Sequence, residues 1–434
     1  MSNENKKRVA LYTLGCKVNQ DETEAIEGLF KDRNYEIVSF ENRADVYIIN
    51  TCTVTHLADR KSRQFIRRAI NTNPNALIVV TGCYAQTSAD ELEKIPGVDL
   101  IIGTSGREKI VDVIEEHQKV NMATTFVSDI RKAKDFEELP VDRLIHKTRA
   151  YLKVQEGCEQ FCTYCIIPYS RGPFRSRSLD NCINEAGRLV DAGFKEIVLT
   201  GIHLGAYGIY DEKLSLFDLC KNLLDKTDIK RLRLSSIEPT EINDEIIELM
   251  KNDSRFCRHL HIPLQSGDNK ILKLMNRPYD AEQFQQLVTK VKQEVPGASI
   301  TTDFIVGFPG EDDESFANSV ELIEKVGFSD IHVFKYSPRK GTPASKYPDQ
   351  VEASIKEKRS KIISDLATRG FVNFASQFIN QTVEVLVEQD VKGICEGHTD
   401  NYLPVKFKGK IDKGQIVKVK IKNLEKGFLS GELI

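Results

Sequence analysis

The chain has 434 residues, with 61 Lys plus Arg against 64 Asp plus Glu and a formal net charge of −3; that is room for two or three domains, each with its own core. Charges interrupt every apolar run well short of the roughly 20 residues that crossing hydrocarbon needs, and the N-terminus MSNENKKRVALYTLGC lacks the long apolar run of a signal peptide, so no membrane partner and a cytoplasmic location are expected. A composition of 40% hydrophobic and 29% charged residues excludes wholesale disorder and collagen-like or disulfide-dense scaffolds, and the ten cysteines are expected as metal ligands, catalytic thiols or small core residues.

In chain order, residues 6–118 alternate short apolar runs with longer amphipathic ones. Strands are expected at Val9–Thr13, Val46–Asn50, Leu77–Thr81 and Leu100–Ile102, with helices between, the pattern of a parallel sheet wrapped by helices. Residues 119–143, with RKAKDFEELP and the turn-favouring Pro140, read as a linker. From 144 to 374 the strand–helix alternation lengthens, with strands expected at Tyr151–Val154, Glu196–Thr200, Leu232–Ser235, His259–Ile262, Ile300–Val306 and Ile331–Lys335. Six such units predict an α/β barrel, (β/α)6, closed or partial. Beyond Phe374, Val383, Val385 and Val387 alternate with Glu384, Leu386 and Glu388, and Val417, Val419 and Ile421 with Lys418, Lys420 and Lys422. This period of two makes 375–434 a small all-β module.

The strongest local signal is Gly157-Cys158-Glu-Gln-Phe-Cys162-Thr-Tyr-Cys165, directly after the first strand of the predicted barrel. Three soft thiolates on one loop favour an iron–sulfur cluster or zinc, three core cysteines being the plain alternative. Structural zinc closes with a fourth Cys or His; the nearest histidines, His146 and His203, are not at a usual ligand spacing. A [4Fe–4S] cluster on three thiolates keeps one iron open for a ligand.

A C-x3-C-x2-C loop at the end of the first strand of a six-unit α/β barrel resembles the radical S-adenosylmethionine enzymes. The resemblance implies that the open iron at Cys158, Cys162 and Cys165 binds S-adenosylmethionine, whose reductive cleavage gives a 5′-deoxyadenosyl radical, hard chemistry that the cofactor brings and the protein positions.

A second set is dispersed: Cys16 in TLGCKVNQDETE, Cys52 in NTCTVTHLADRKSR and Cys83 in TGCYAQ, each just past an expected parallel strand. The carboxyl ends of such strands open on one edge, where ligands bind, so the three are expected to converge on a second cluster. Two open clusters followed by a small β-module resemble the methylthiotransferases over essentially the whole chain, and the segments around these cysteines most resemble the branch acting on N6-threonylcarbamoyladenosine beside the tRNA anticodon. Other branches act on isopentenyladenosine in tRNA or on an aspartate of a ribosomal protein; a zinc-containing RNA-binding protein is the reading from outside the enzymes. By the resemblance, two [4Fe–4S] clusters and S-adenosylmethionine are the cofactors, Cys16, Cys52 and Cys83 hold the sulfur-carrying cluster, and a flavodoxin- or ferredoxin-type electron donor is a partner, the sulfur source staying open. It also implies that Thr200, Gly201, Glu238, Gln265 and the Asp303–Gly307 stretch line the cofactor or substrate pocket, and that 375–434 is a TRAM-like RNA-binding barrel.

His259 and His261 alternate with Leu260 and Ile262, so they should share a strand face, as barrel-interior polar residues or as metal ligands. Cys182, Cys220, Cys257 and Cys395 have no companion spacing and read as plain thiols. From Val405 onward eight lysines face three acidic residues, and Lys418, Lys420 and Lys422 form a candidate phosphate track for a tRNA anticodon stem-loop. Two further basic groups, Arg60, Lys61, Arg63, Arg67 and Arg68 after Cys52, and Arg171, Arg175 and Arg177 after Cys165, are expected to rim the site, the latter three contacting RNA; part of the first group reads equally as the polar face of a helix carrying Phe65, Ile66 and Ile70.

Overall fold

The computed structural model describes residues 6–117, 119, 122–139, 148–211 and 213–434. It begins with β1 (Arg8–Thr13), β2 (Glu36–Val38), β3 (Val46–Thr51), β4 (Leu77–Gly82), β5 (Leu100–Ile102) and β6 (Thr124–Phe126), a parallel sheet in the order β2-β1-β3-β4-β5-β6. Val9, Ile48 and Val79 pack on one face with Ile26 and Phe30 of helix α1 (Lys17–Asp32). Ala10, Tyr47, Ile49, Ile78 and Val80 pack on the other with Ile66 and Ala69 of α2 (His56–Thr72). Both faces being covered, the central strands are apolar throughout instead of alternating.

The four strands expected here are present, and two more lie at the sheet edges. One of them, β6, falls within the expected linker 119–143, and Glu137 of the same stretch accepts from the Arg107 backbone N–H, at 2.5 Å, and from its guanidinium, at 2.9 Å. That stretch is therefore partly built into the sheet domain. The expected boundary at 143/144, with Pro140 and His146 beside it, lies outside the described residues.

The six expected barrel strands are β7 (Ala150–Glu156), β9 (Glu196–Gly201), β10 (Arg231–Leu234), β11 (His259–His261), β12 (Ser299–Val306) and β13 (Asp330–Lys335), with a two-residue strand β8 (Arg175–Ser176) antiparallel to the end of β7. They form the sheets β10-β9-β7-β8 and β11-β12-β13, linked by a parallel bridge between Ser236 and His261. Leu152, Leu199, Leu232, Leu260, Ile300 and Phe304 share an apolar core with the surrounding helices. The alternate positions, Thr200, Arg233, His259, His261, Thr301 and Asp303, are polar.

The chain ends in a closed barrel ordered β14-β15-β16-β18-β17: β14 (Thr382–Val391), β15 (Ile394–Thr399), β16 (Pro404–Lys408), β17 (Ile416–Glu425) and β18 (Phe428–Leu433). Val385, Val387, Val419 and Ile421 fill it, as their alternation predicts. Leu386, expected outward, is buried too, because its strand face also carries Glu388, bound to Arg149 at 2.5 Å.

Two compact bodies result. One holds the described residues up to 139 with Gln155–Arg177 and Ser337–Ser345; the other holds 148–154, Ser178–Tyr336 and Lys346–Ile434. No helix among the described residues is long and apolar enough to cross a membrane.

Candidate metal and cofactor site

All six singled-out cysteines belong to the first body. Cys16, Cys52 and Cys83 follow β1, β3 and β4, three adjacent parallel strands paired Thr13 to Asn50 and Thr51 to Gly82, so they emerge at one sheet edge. Gly15 makes the close approach possible: it has φ +108°, and a Cβ on it would sit 2.8 Å from the Cys52 Cβ and 3.1 Å from its Sγ. Cys52 and Cys83 are buried and Cys16 is exposed. Burial pushes the Cys52 thiol up to about 12. A thiol so raised is protonated at neutral pH, so ligation of a metal by Cys52 releases a proton and is favoured as pH rises.

Asn19, on the first turn of α1, fastens these loops. Its Nδ2 donates to the carbonyls of Leu14, at 2.8 Å, and Thr51, at 3.1 Å, the residues flanking Gly15-Cys16 and Cys52. Its own carbonyl accepts from Asn50 Nδ2 at 3.0 Å.

The Cys158–Cys165 loop is shaped by backbone. Gly157 has φ +81°, and a Cβ there would lie 1.7 Å from the Pro173 carbonyl oxygen. Cys158 N–H donates to Gly172 O and Cys165 N–H to Cys162 O, both at 2.9 Å. Cys162 is buried, and Phe161 before it takes φ +49° with its ring about half exposed. Three thiols on one folded loop, with no carboxylate among the donors, fit an iron–sulfur cluster.

The segments following Cys52, Cys83 and Cys165 line one cavity of about 530 Å³, which includes His56, Arg63, Gln86, Tyr169, Arg339 and Lys340. Arg339 binds Asp59 at 2.6 Å and Thr53 Oγ1 at 2.5 Å, holding the Cys52 loop against the cavity. Arg63 donates to Tyr84 Oη at 2.8 Å, and that hydroxyl donates to Glu91 at 2.8 Å. Phe161 and Tyr169, both with exposed rings, meet edge to face at 5.9 Å.

In the second body, Thr200 and Gly201 end β9, Glu238 follows β10 and pairs with Arg277, and Gln265 follows β11. Gln265 takes φ +62° and is pinned by its N–H on Asp303 O and by Ile305 N–H on its carbonyl, both at 2.9 Å. Gly307 N–H donates to Glu311 Oε1 at 2.9 Å, which also accepts from Arg359 at 2.7 Å. These five gather at the carboxyl ends of the strands. Asp303 instead sits within β12 between His261, at 3.2 Å, and His332, at 3.3 Å; burial opposes its ionisation, but the two histidines hold it well below the usual carboxylate range. His259 and His261 do share a face, both bonded to Thr301 Oγ1, at 3.0 and 2.9 Å.

The second basic group is not the surface rim expected of it. Arg171 and Arg175 are buried, and Arg177, nearly so, is paired with Glu138 at 2.8 Å. A desolvated guanidinium needs internal partners, and Arg171 finds them in Glu22, Glu156, Asn19 and Cys83. Arg60, Lys61, Arg67 and Arg68 are exposed, although Arg68 is paired with Glu41. Lys418, Lys420 and Lys422 do lie on one outer face of β17, alternating with buried Val419 and Ile421, with Lys422 paired to Glu432 at 3.0 Å. Phe161, Tyr169, Arg339 and Lys340 escaped the sequence reading; the first two were visible only as aromatics inside and just after the cysteine run.

Three family descriptions match successive segments: the uncharacterized protein family UPF0004 over residues 8–103, the radical SAM superfamily over 152–323 and the TRAM domain over 376–434. The fold resembles that of the radical S-adenosylmethionine methyltransferase TsrM from Kitasatospora setae, with a TM-score of 0.56 at 15% identity over 78% of this chain and 77% of that one. Fold and site together define a radical S-adenosylmethionine enzyme, a class that uses a [4Fe–4S] cluster and S-adenosylmethionine.

The chain is 48% identical over 437 residues to the threonylcarbamoyladenosine tRNA methylthiotransferase MtaB of Bacillus subtilis (strain 168), covering 98% of this chain and 96% of that protein. It is 39% identical to the protein of the same name from Thermotoga maritima, over 98% and 96% of the two chains. Against the tRNA-2-methylthio-N(6)-dimethylallyladenosine synthase of B. subtilis the identity is 35%, over 98% and 85%. The chain belongs to the MtaB family of radical S-adenosylmethionine methylthiotransferases.

Proposed function

We propose that this enzyme adds a methylthio group to carbon 2 of N6-threonylcarbamoyladenosine at position 37 of tRNA, 3′ of the anticodon, in the cytoplasm. The observation that carries the reading is the cavity of about 530 Å³ lined by the segments that run on from Cys52, Cys83 and Cys165, a space of the size that small-ligand sites have. The higher identity to the threonylcarbamoyladenosine enzymes, 48% and 39% against 35% for the dimethylallyladenosine enzyme, favours that nucleoside.

Carbon 2 of adenine carries an unactivated C–H bond that no side-chain base of ordinary pKa deprotonates usefully. A [4Fe–4S] cluster at Cys158, Cys162 and Cys165, with S-adenosylmethionine, supplies hydrogen-atom abstraction there. In this reading Cys16, Cys52 and Cys83 hold a second [4Fe–4S] cluster, and an electron donor of flavodoxin or ferredoxin type completes the system. The rest falls to side chains. Phe161 and Tyr169 offer exposed ring faces on which a splayed anticodon-loop base stacks, and Lys340 and Arg63 border the cavity where phosphates of that loop approach. Within the second body, Thr200, Gly201, Glu238, Gln265 and Gly307, at the carboxyl ends of its strands, are the residues proposed to contact cofactor or substrate, while Asp303 is held by His261 and His332.

The test is mass spectrometry of tRNA nucleosides from cells with and without the protein. Loss of the methylthio nucleoside with accumulation of threonylcarbamoyladenosine is expected; an unchanged profile removes tRNA as the substrate. Replacing Lys418, Lys420 and Lys422 together by Ala should weaken tRNA binding without affecting folding. Each phosphate that a lysine neutralises adds roughly 0.7–0.9 to the steepness of log affinity against log salt. The triple variant should therefore show a slope shallower by about 2 to 3 in a salt titration, and an unchanged slope removes β17 from the RNA path.

A further inference from the structure

Arg171 is fully buried and ends the short helix Ile167–Arg171 that follows the C-x3-C-x2-C loop. Its Nε–H donates to Cys83 Sγ at 3.2 Å, its Nη2 to Asn19 Oδ1 at 2.7 Å and its Nη1 to Glu22 Oε1 at 2.5 Å and Glu156 Oε2 at 3.2 Å. Asn19 in turn holds the carbonyls of Leu14 and Thr51. One guanidinium thus touches one cysteine of the dispersed set directly and the loops of the other two through a single amide. The carbonyl of the next residue, Gly172, accepts the Cys158 N–H at 2.9 Å, so the same two residues touch both sets.

The direction of the Nε–H is informative. A neutral thiol is a weak acceptor, whereas a thiolate is a strong one, and the carboxylates of Glu22 and Glu156 already give Arg171 its counter-charge. The N–H held on that sulfur fixes the direction of the Cys83 side chain, as the partners behind a metal ligand do.

We infer that Arg171 is a positioning residue for the second cluster: it orients Cys83 as a thiolate ligand and, through the N–H···S bond and its charge, raises the reduction potential of the cluster at Cys16, Cys52 and Cys83. Donors to cluster sulfurs and nearby cations favour the reduced, more negative state. The inference rests on the reading that those three cysteines hold a cluster, and the experiment separates the two. In a chain with Cys158, Cys162 and Cys165 all replaced by Ala, reconstituted anaerobically, iron content tests the cluster and potentiometry followed by electron paramagnetic resonance tests Arg171. About four irons per chain are expected; a chain without iron overturns the cluster and the inference with it. With iron present, R171Q is expected to lower the midpoint potential and alter the resonance line shape, and R171K to recover part of the potential but not the line shape, because an ammonium keeps the charge without the fixed fork. Iron retained with the parent potential and spectrum in R171Q overturns the inference. Where R171Q fails to fold because the buried Glu22 carboxylate is left short of counter-charge, E22Q/R171Q is compared with E22Q, so that Arg171 is the only difference between them; a potential below that of E22Q supports the role and one equal to it overturns it.

Discussion

Replacing Cys162 by Ala is expected to abolish product formation and to stop cleavage of S-adenosylmethionine, with a loss of about four irons per chain. Cys162 is one of three thiols on a single loop, buried, with its carbonyl accepting the Cys165 N–H at 2.9 Å. Two remaining thiolates on that loop cannot hold the cluster. The backbone turn does not depend on the sulfur, and the neighbouring Thr163 carbonyl still accepts the Ala344 N–H at 2.9 Å, so folding should survive. Cys83→Ala provides the contrast: iron falls by a similar amount and the methylthio nucleoside disappears, while 5′-deoxyadenosine continues to form. Measuring that by-product alongside iron distinguishes the two sets. Full iron and normal cofactor cleavage in C162A would remove Cys162 from the ligand set.

The second large effect concerns stability. Glu196, completely buried on β9, accepts from Arg233 at 2.7 and 3.3 Å and pairs with Arg149 at 2.8 Å and Arg231 at 3.7 Å. The arginines continue into the C-terminal barrel: Arg233 donates to Asp400 O at 2.8 Å, Arg231 to Glu384 O at 2.9 Å, and Arg149 pairs with Glu388 at 2.5 Å. The ring of Tyr402 lies under Arg149 and Arg233, at 5.2 and 4.9 Å. Glu196 thus ties together the three arginines that fasten the TRAM barrel to the base of the larger one, with Glu388 as a second counter-charge on Arg149. Removing one partner of a buried ion network leaves uncompensated charge, at about 3–5 kcal/mol, so Glu196→Gln should lower unfolding stability by that amount and open the 375–381 junction to protease. Burial opposes ionisation of Glu196, but the arginines prevail and bring it from 4.5 to about 2. A carboxylate with a depressed folded pKa stabilises above its unfolded value; the contribution is therefore complete above about pH 4.5 and fades as pH falls toward 2. Denaturant titrations showing E196Q within about 1 kcal/mol of the parent at pH 7 would contradict this, since that is the range of ordinary surface changes.

Much of the fold was legible because burial leaves a local trace. Leu77–Thr81 is apolar on successive residues because both sheet faces are covered, and Val419 and Ile421 alternate with lysines because only one face of β17 is. The edge strands Glu36–Val38 and Thr124–Phe126 left no such trace: all three residues of each are at least partly exposed, whereas Leu100–Ile102, equally short but buried throughout, reads as an apolar run. The cysteine run before Ile167 and the three Gly-Cys or Thr-Cys strand ends were legible for a different reason, since ligand spacing on one loop and position after a parallel strand are local properties.

The sequence by itself determined the strand periods, the two cysteine sets and the lysine face, because each follows from residues adjacent in the chain. Only the tertiary structure decided what the arginines do. Arg171 reads as a surface charge in isolation, yet it is buried against Cys83 and Glu22, residues 88 and 149 positions away. A desolvated charge is tolerable only where the fold assembles its partners, and no local pattern announces which distant carboxylate or sulfur will stand beside it.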